Sequence, residues 1–445
     1  MRRLVTPTIT AAVLAVSLLV TPVIAHHDDG KGNVSYPSAE SIAHELANVA
    51  AANAAADSDA PRGFAPCIRG MAAATYPCDA IDMLSHVTMA DLGSVFVNDI
   101  WGWTDPLTLR DYALLGASEG VSIVDISDPM RPDIIGRLPT HTTAGGDFWR
   151  DIKVYKNHAF VTSENTGHGV QILDLTQVRG VTGDPVVFAA TARYTNGVGN
   201  AHNIFINEDT GFAYVVGSGT CSGGLHMVNI QDPVNPVGAG CFSAHGYIHD
   251  TQCVIYAGPD TTYSGREICF NSNPGPGGSD AISIVDVTDK QNPVALARLA
   301  YPGQGYSHQG WLTRDQQYFL HNDELDEVEH GFNTRTRIFD VRDLDAPSLV
   351  AEVQHGTTSI GHNAYTEGRY AFASNYTSGL RVFDITGVAD GQMPEVAFFD
   401  LYPENDNATF EGGSWSNYPY FRQPKIVAAS SMDRGLFVLR PRIGS

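Results

Sequence analysis

The chain has 445 residues, with 44 Gly, 24 Pro, six Cys and a formal charge of −22. That length holds one large all-β domain or two or three ordinary ones. The charge argues against a nucleic-acid partner, because a phosphate backbone would be repelled and no Lys/Arg cluster offsets it; it suits solubility or the binding of cations.

Arg2 and Arg3 open the chain, an apolar run from Ile9 to Val20 follows, and Val23-Ile24-Ala25 supplies small residues for cleavage. Residues 1–25 therefore read as a secretory signal peptide, with an apolar run too short for a membrane anchor. No later stretch is apolar enough to span a bilayer, and the last residues carry no hydrophobic tail. A secreted protein, extracellular or periplasmic, is expected. Residues 26–80, rich at first in Ala, Asp and Ser, are expected to be a mostly disordered leader with a short helix near residues 41–52 and a Cys67–Cys78 staple. Export makes disulfides possible. Cys221, Cys241, Cys253 and Cys269 admit three pairings, and the shortest loops favour Cys221–Cys241 and Cys253–Cys269. Without any CxxC, a zinc or redox role for them is the weaker reading.

From Met83 onward one phrase recurs. It ends at Asp125 (GVSIVD), Asp174 (GVQILD), Asn229 (GLHMVN), Asp286 (AISIVD), Asp340 (RTRIFD), Asp384 (GLRVFD) and Arg440 (GLFVLR). Each copy follows another β-rich run, such as HAFVTS at 158–163 or YAFASN at 370–375. Several are followed by a proline turn (Pro129, Pro236, Pro293) and a further strand such as DIIGRL at 133–138. Seven copies of a four-strand unit predict an all-β, seven-bladed β-propeller over residues 81–445. The seventh copy lacks an outer strand, whereas Asp82–Thr88 has no place in the first, so this N-terminal strand is expected to complete the last blade. Two stacked β-sandwiches are the alternative, and sevenfold recurrence counts against them.

The innermost strand of each blade opens on a polar pair: Asn98-Asp99, Arg150-Asp151, His202-Asn203, His249-Asp250, His308-Gln309, His362-Asn363 and, in the last copy, Gly413-Ser414. In a propeller these strand starts gather at one mouth of the central channel, and the loops carrying Glu164, Asp323 and Glu324 open on the same face. One reading is architectural: the polar side chains satisfy backbone groups and tie blades together. The other is a site, with Asp99, Asp151, Glu164, Asn203, Asp250, Gln309, Asn363, Asp323 and Glu324 as candidate ligand-binding residues. His202, His249, His308 and His362 are then candidate ligands of a divalent metal ion. No HExxH, EF-hand loop or GxSxG supports a particular chemistry. The acidic run DELDE (323–327) reads as a solvated loop. Trp101, Trp103, Trp149, Trp311 and Trp415 fall in or near innermost strands and read as blade-to-blade packing.

NDIWGWTDP (98–106), WRDIKVYKNHAFV (149–161), CSGGLHMVNI (221–230), SHQGWLT (307–313), FLHNDELDE (319–327) and RGLFVLRP (434–441) together resemble the bacterial choice-of-anchor B family of LVIVD-repeat propellers. The resemblance covers about residues 82–440. It implies a secreted or surface propeller, usually followed by one of several C-terminal anchors; the sequence departs from that pattern after RGLFVLRP, so a released or periplasmic protein is expected. It transfers no catalytic residue. The expected function is an exported, monomeric binding or interaction module for an extracellular protein or a small ligand, with a divalent metal ion as the one candidate cofactor. The alternative is a metal-dependent hydrolase or lyase at the channel mouth, with Asp151, Asp250 or Glu164 as base.

Overall fold

The computed structural model describes residues 60–444 apart from 147, 276–278 and 424. The expected signal peptide, and the leader as far as residue 59 with its helix near 41–52, lie outside the described residues.

Seven antiparallel sheets stand around a central axis. Their innermost strands are, from blade 1 to blade 7, Val97–Thr104, Arg150–Tyr155, Asn203–Asn207, Asp250–Ile255, Ser307–Leu312, Ala364–Glu367 and Ser414–Tyr418. Each touches the next, and the seventh touches the first, so the ring is closed. Closure is made by the chain's own beginning. Ile81–Val87 is the outer strand of blade 7, paired antiparallel with Gly435–Pro441 (Met83 opposite Leu439, Val87 opposite Leu436), and it is buried along its whole length. It covers the edge of Gly435–Pro441, which would otherwise be open to another chain.

The repeat phrase is the third strand of each blade, and it is buried on both faces because every blade is flanked by two others. GVSIVD of blade 1 is buried at all six positions, which is why it reads as a continuous apolar run rather than an alternating one. The core accordingly lies between blades: Leu114 and Ile123 of blade 1 pack with Ile152 and Val161 of blade 2. The Asp or Asn that ends the phrase has a local task. Its Oδ1 accepts the backbone N–H two residues on, at 2.9 Å from Ser127, Thr176, Gln231, Thr288, Arg342 and Thr386 to Asp125, Asp174, Asn229, Asp286, Asp340 and Asp384. This turn reverses the chain toward the outer strand. The seventh copy ends in Arg440, and the reason is the closing strand: Arg440 and Arg442 pair with Asp82 at 3.1 and 3.0 Å.

Two features depart from the expected organisation. Residues 60–80 are not all leader. Met71–Ala72 and Tyr76–Asp79 form a hairpin that continues blade 6, with Cys78 opposite Phe399 and Asp79 opposite Phe398. Ala72, Tyr76 and Cys78 are buried in the same core as Phe399 and Phe437, so the folded unit includes this hairpin from Met71 and starts earlier than the expected residue 81. The hairpin covers the outer edge of blade 6, which the repeat alone leaves open. Second, Val186–Val187, in a long connection of blade 2, reaches back to pair parallel with the outer strand of blade 1. Gly136 permits that approach, since a Cβ there would lie 2.1 Å from the Val186 carbonyl oxygen. The disulfides are Cys67–Cys78, Cys221–Cys241 and Cys253–Cys269, the shortest-loop pairing. No helix among the described residues is long and apolar enough to cross a membrane.

Candidate functional site

Because side chains alternate along a strand, residues two apart on an innermost strand face the channel together. The strand starts bring Asp99, Asp151, Asn203, Asp250 and Asn363 around one small cavity, with His202, His249, His308, His362, Trp149 and Trp415 on its rim. The cavity holds about 20 Å³ for a water-sized sphere, enough for a single water or ion. Beyond it the channel is filled by rings: Trp101 packs on Tyr418 at 5.0 Å, and Trp311 on Tyr365 at 4.9 Å. Polar groups are thus presented at one end.

The rim is a continuous arc of rings. His202, His249, His308 and His362 follow one another at centroid distances of 4.1, 4.3 and 4.3 Å. Trp415 continues the arc at 4.5 Å from His362, and Trp149 stacks on Trp415 at 4.6 Å. Two of the imidazoles also tie blades together: His249 Nδ1 bonds the His308 carbonyl at 2.9 Å, and His362 Nδ1 bonds the Trp415 carbonyl at 2.5 Å. A carbonyl only accepts, so in both residues Nδ1 carries the proton. His202 Nδ1 meets Glu164 Oε1 at 2.5 Å. Glu324 lies between the other two histidines, with Oε2 3.7 Å from His308 Nε2 and Oε1 3.5 Å from His362 Nε2. Of the four histidines, His308 and His362 share with Glu324 a set of donor atoms within 4.8 Å of one another; His202 and His249 fall outside that set.

The next layer is mainly mortar between blades. Asp99 accepts the Ile152 N–H at 3.0 Å, and Asp151 accepts the Ile204 N–H at 2.7 Å. Asn203 donates to the His249 carbonyl at 3.0 Å, and Gln309 both accepts from and donates to the Ala364 backbone at 3.1 Å. Lys153, two residues past Asp151, reaches it at 2.5 Å and lies 4.5 Å over the Trp101 ring. Burial pushes the Asp99 carboxyl well above its usual range, against the pull of Lys153. Asp151 is equally buried, but the Lys153 ammonium and the Ile204 N–H hold it below the usual value. Asp250 differs from both. In blade 4 the inter-blade bond is made by Gln252, which accepts from Leu312 N at 2.8 Å. Asp250 is left with the N–H of Thr251 at 2.7 Å. Burial, then the charge of Asp151, push its carboxyl up to about 7.

Asp323 does not face the mouth's ligand space. Its oxygens accept from the Tyr301 hydroxyl and from the backbone N–H groups of Gly305, Tyr306, Leu325 and Asp326. The DELDE run is not a solvated loop either: Asp323, Glu324, Asp326 and Glu327 are all buried. Asp326 is neutralised by Arg335 and Arg337, each at 2.8 Å, while burial, then the charge of Asp326, hold the Glu327 carboxyl well above its usual value. Two residues of the mouth escaped the sequence reading. Lys153 was accessible through the alternation of an innermost strand. Tyr376, whose hydroxyl donates to Glu324 Oε1 at 2.6 Å, lies on the loop between the second and third strands of blade 6.

No family model matches the chain, and no curated protein does. Solved structures do. The chain is similar to Kuenenia stuttgartiensis hydrazine synthase, with a TM-score of 0.52 at 10% identity over 75% of this chain and 93% of that one. It is also similar to the β-propeller domain of Myceliophteria thermophila Cps50 (Swd1), with a TM-score of 0.50 at 14% identity over 78% and 96%. At such identities the likeness shows the fold alone: the chain is a seven-bladed β-propeller.

Proposed function

We propose that this protein is an exported propeller of the choice-of-anchor B type that acts as a binding module through the histidine-lined mouth of its channel. The observation that carries the reading is convergence: four imidazoles, Glu164, Glu324 and two tryptophans, drawn from six blades or their loops, share one rim. Deeper in the channel aromatic rings are packed together, so the channel itself meets a ligand at this mouth. Three disulfides and a signal-like N-terminus support export. The test is photo-crosslinking in the native host. A photoreactive residue replaces exposed Glu119 or Ser222, both on loops of the mouth face, or Leu107, an exposed residue at the other end of blade 1. Adducts from the mouth positions and none from Leu107 are expected. Equal labelling from all three, or none, overturns the assignment.

A metal-dependent hydrolase or lyase at the same mouth is the second reading, favoured by the His308–Glu324–His362 donor set. Asp151 is committed to Lys153 and Ile204, and Glu164 is bonded to His202, which makes Asp250 the base in this reading. Hydrolysis of activated esters by zinc-loaded protein, lost in Asp250→Asn with zinc still bound, would support it; inactivity across an ester and phosphoester panel removes it.

A further inference from the structure

We propose that His308, Glu324 and His362 bind one divalent first-row transition-metal ion. The inference deepens the reading of the mouth as a binding site, since the ion sits on that same rim, and its test is separate.

The first argument is distance. The contacts between Glu324 and the two Nε2 atoms, 3.5 and 3.7 Å, exceed the roughly 2.7–3.2 Å of a good N–H···O bond. They match the edge of a coordination sphere, because two metal bonds of about 2.1 Å at a tetrahedral angle set their donor atoms ~3.4 Å apart. The second is orientation. His362 gives its Nδ1 proton to the Trp415 carbonyl, which leaves the Nε2 lone pair on the side of Glu324. The Tyr376 hydroxyl holds Glu324 Oε1 at 2.6 Å. Such outer partners aim metal ligands and set their basicity. The third is strain. Tyr376 has φ 34°, a costly conformation for an aromatic residue. Two backbone bonds with Ser414, at 3.0 and 2.8 Å, keep it there. Gly413 allows the approach, as a Cβ at that position would lie 2.0 Å from the Tyr376 carbonyl oxygen.

The donor chemistry selects the ion. Two imidazole nitrogens and one carboxylate suit zinc, cobalt, nickel, manganese or iron(II) rather than calcium or magnesium, which prefer oxygen alone. Three protein donors leave at least one coordination position for water or for a ligand.

The experiment is a titration of the full chain with cobalt(II) after chelator treatment and dialysis. It is read by visible absorption and by metal-to-protein ratio, with far-UV circular dichroism confirming the fold of every variant. One tightly held equivalent with a ligand-field spectrum is expected. Glu324→Gln, nearly the same shape, should abolish the spectrum, and so should His362→Ala. His202→Ala, outside the donor set, should keep it. Tyr376→Phe retains all three donors and should weaken binding about tenfold or more. The proposal is overturned if the wild type takes up no cobalt at micromolar concentration. It is equally overturned if Glu324→Gln and His362→Ala bind like the wild type, which would place the metal elsewhere, for example at the exposed Asp260, Asp343 and Asp345 group. If the cobalt titration fails while mouth-specific crosslinks are obtained, this site falls and the binding module stands.

Discussion

The Nδ1 of His362 in blade 6 bonds the backbone carbonyl of Trp415 in blade 7 at 2.5 Å. One hydrogen bond therefore joins two blades and fixes which ring nitrogen faces Glu324. The same economy holds one layer deeper, where Asp99 and Asp151 each reach the strand of the following blade. Architecture and site are the same atoms here, so substitutions at the mouth must be read for stability before they are read for function.

Asp151 is the clearest case. Asp151→Ala strands the buried Lys153 ammonium and the Ile204 N–H, and should cost about 3–5 kcal/mol. Asp151→Asn can still accept from Ile204 and should cost less. Urea unfolding of the two variants checks this. Wild-type midpoints for both would show that the carboxylate carries no structural load.

Asp250 gives a pH dependence of opposite sense to most carboxylates. Its folded pKa is about 7, and an unfolded aspartate titrates near ~3.9. Between these values the folded chain holds the extra proton, so this residue's contribution to stability declines as pH rises from about 4 to about 7 and is level above that. Asp250→Asn removes the decline. The variant should be more stable than the wild type at pH 8, by about 2 kcal/mol once its partial exposure is allowed for, and the gain should shrink toward pH 4. A variant whose stability runs parallel to the wild type across this range would refute the titration.

His168 acts on the acid side. It is fully buried, and burial lowers its pKa to about 4, against ~6.5 unfolded. A depressed histidine contributes above its unfolded pKa and loses that contribution as pH falls from about 6.5 through 4. His168→Gln should flatten the acid limb of the stability curve by up to about 3 kcal/mol. Thermal unfolding between pH 4 and 7 reads it, and an unchanged slope would exclude His168 as the titrating group.

The closing strand should be indispensable. Met83 is fully buried against Phe437 and Leu439, and Met83→Ala should destabilise by about 2–5 kcal/mol. A chain beginning at Met89 loses the whole outer strand of blade 7 and should self-associate through Gly435–Pro441. Light scattering distinguishes this from a monomer of unchanged stability.

Blade number, strand order and closure were legible in the chain. A propeller repeats one local solution seven times: the period-two alternation of the strands and the side-chain turn at Asp125, Asp174, Asn229, Asp286, Asp340 and Asp384 act within a few residues and leave a visible pattern. The polar strand starts were legible for the same reason. Their employment was not. Asp99 and Asp250 occupy equivalent positions, yet one ties two blades and the other does not, because Gln252 two residues on has taken over that bond. The depth of DELDE was hidden too, since its burial depends on Arg335 and Arg337 arriving from the following strand. Nor could a repeat pattern place Tyr376 under Glu324, 52 residues away. The sequence by itself determined the sevenfold ring and the polar strand starts at its mouth, since both follow from local periodicity. Only the tertiary structure decided which of those residues are mortar and which, with Glu324 among them, form a donor set. That distinction rests on distances between side chains from different blades, and no local signal encodes it.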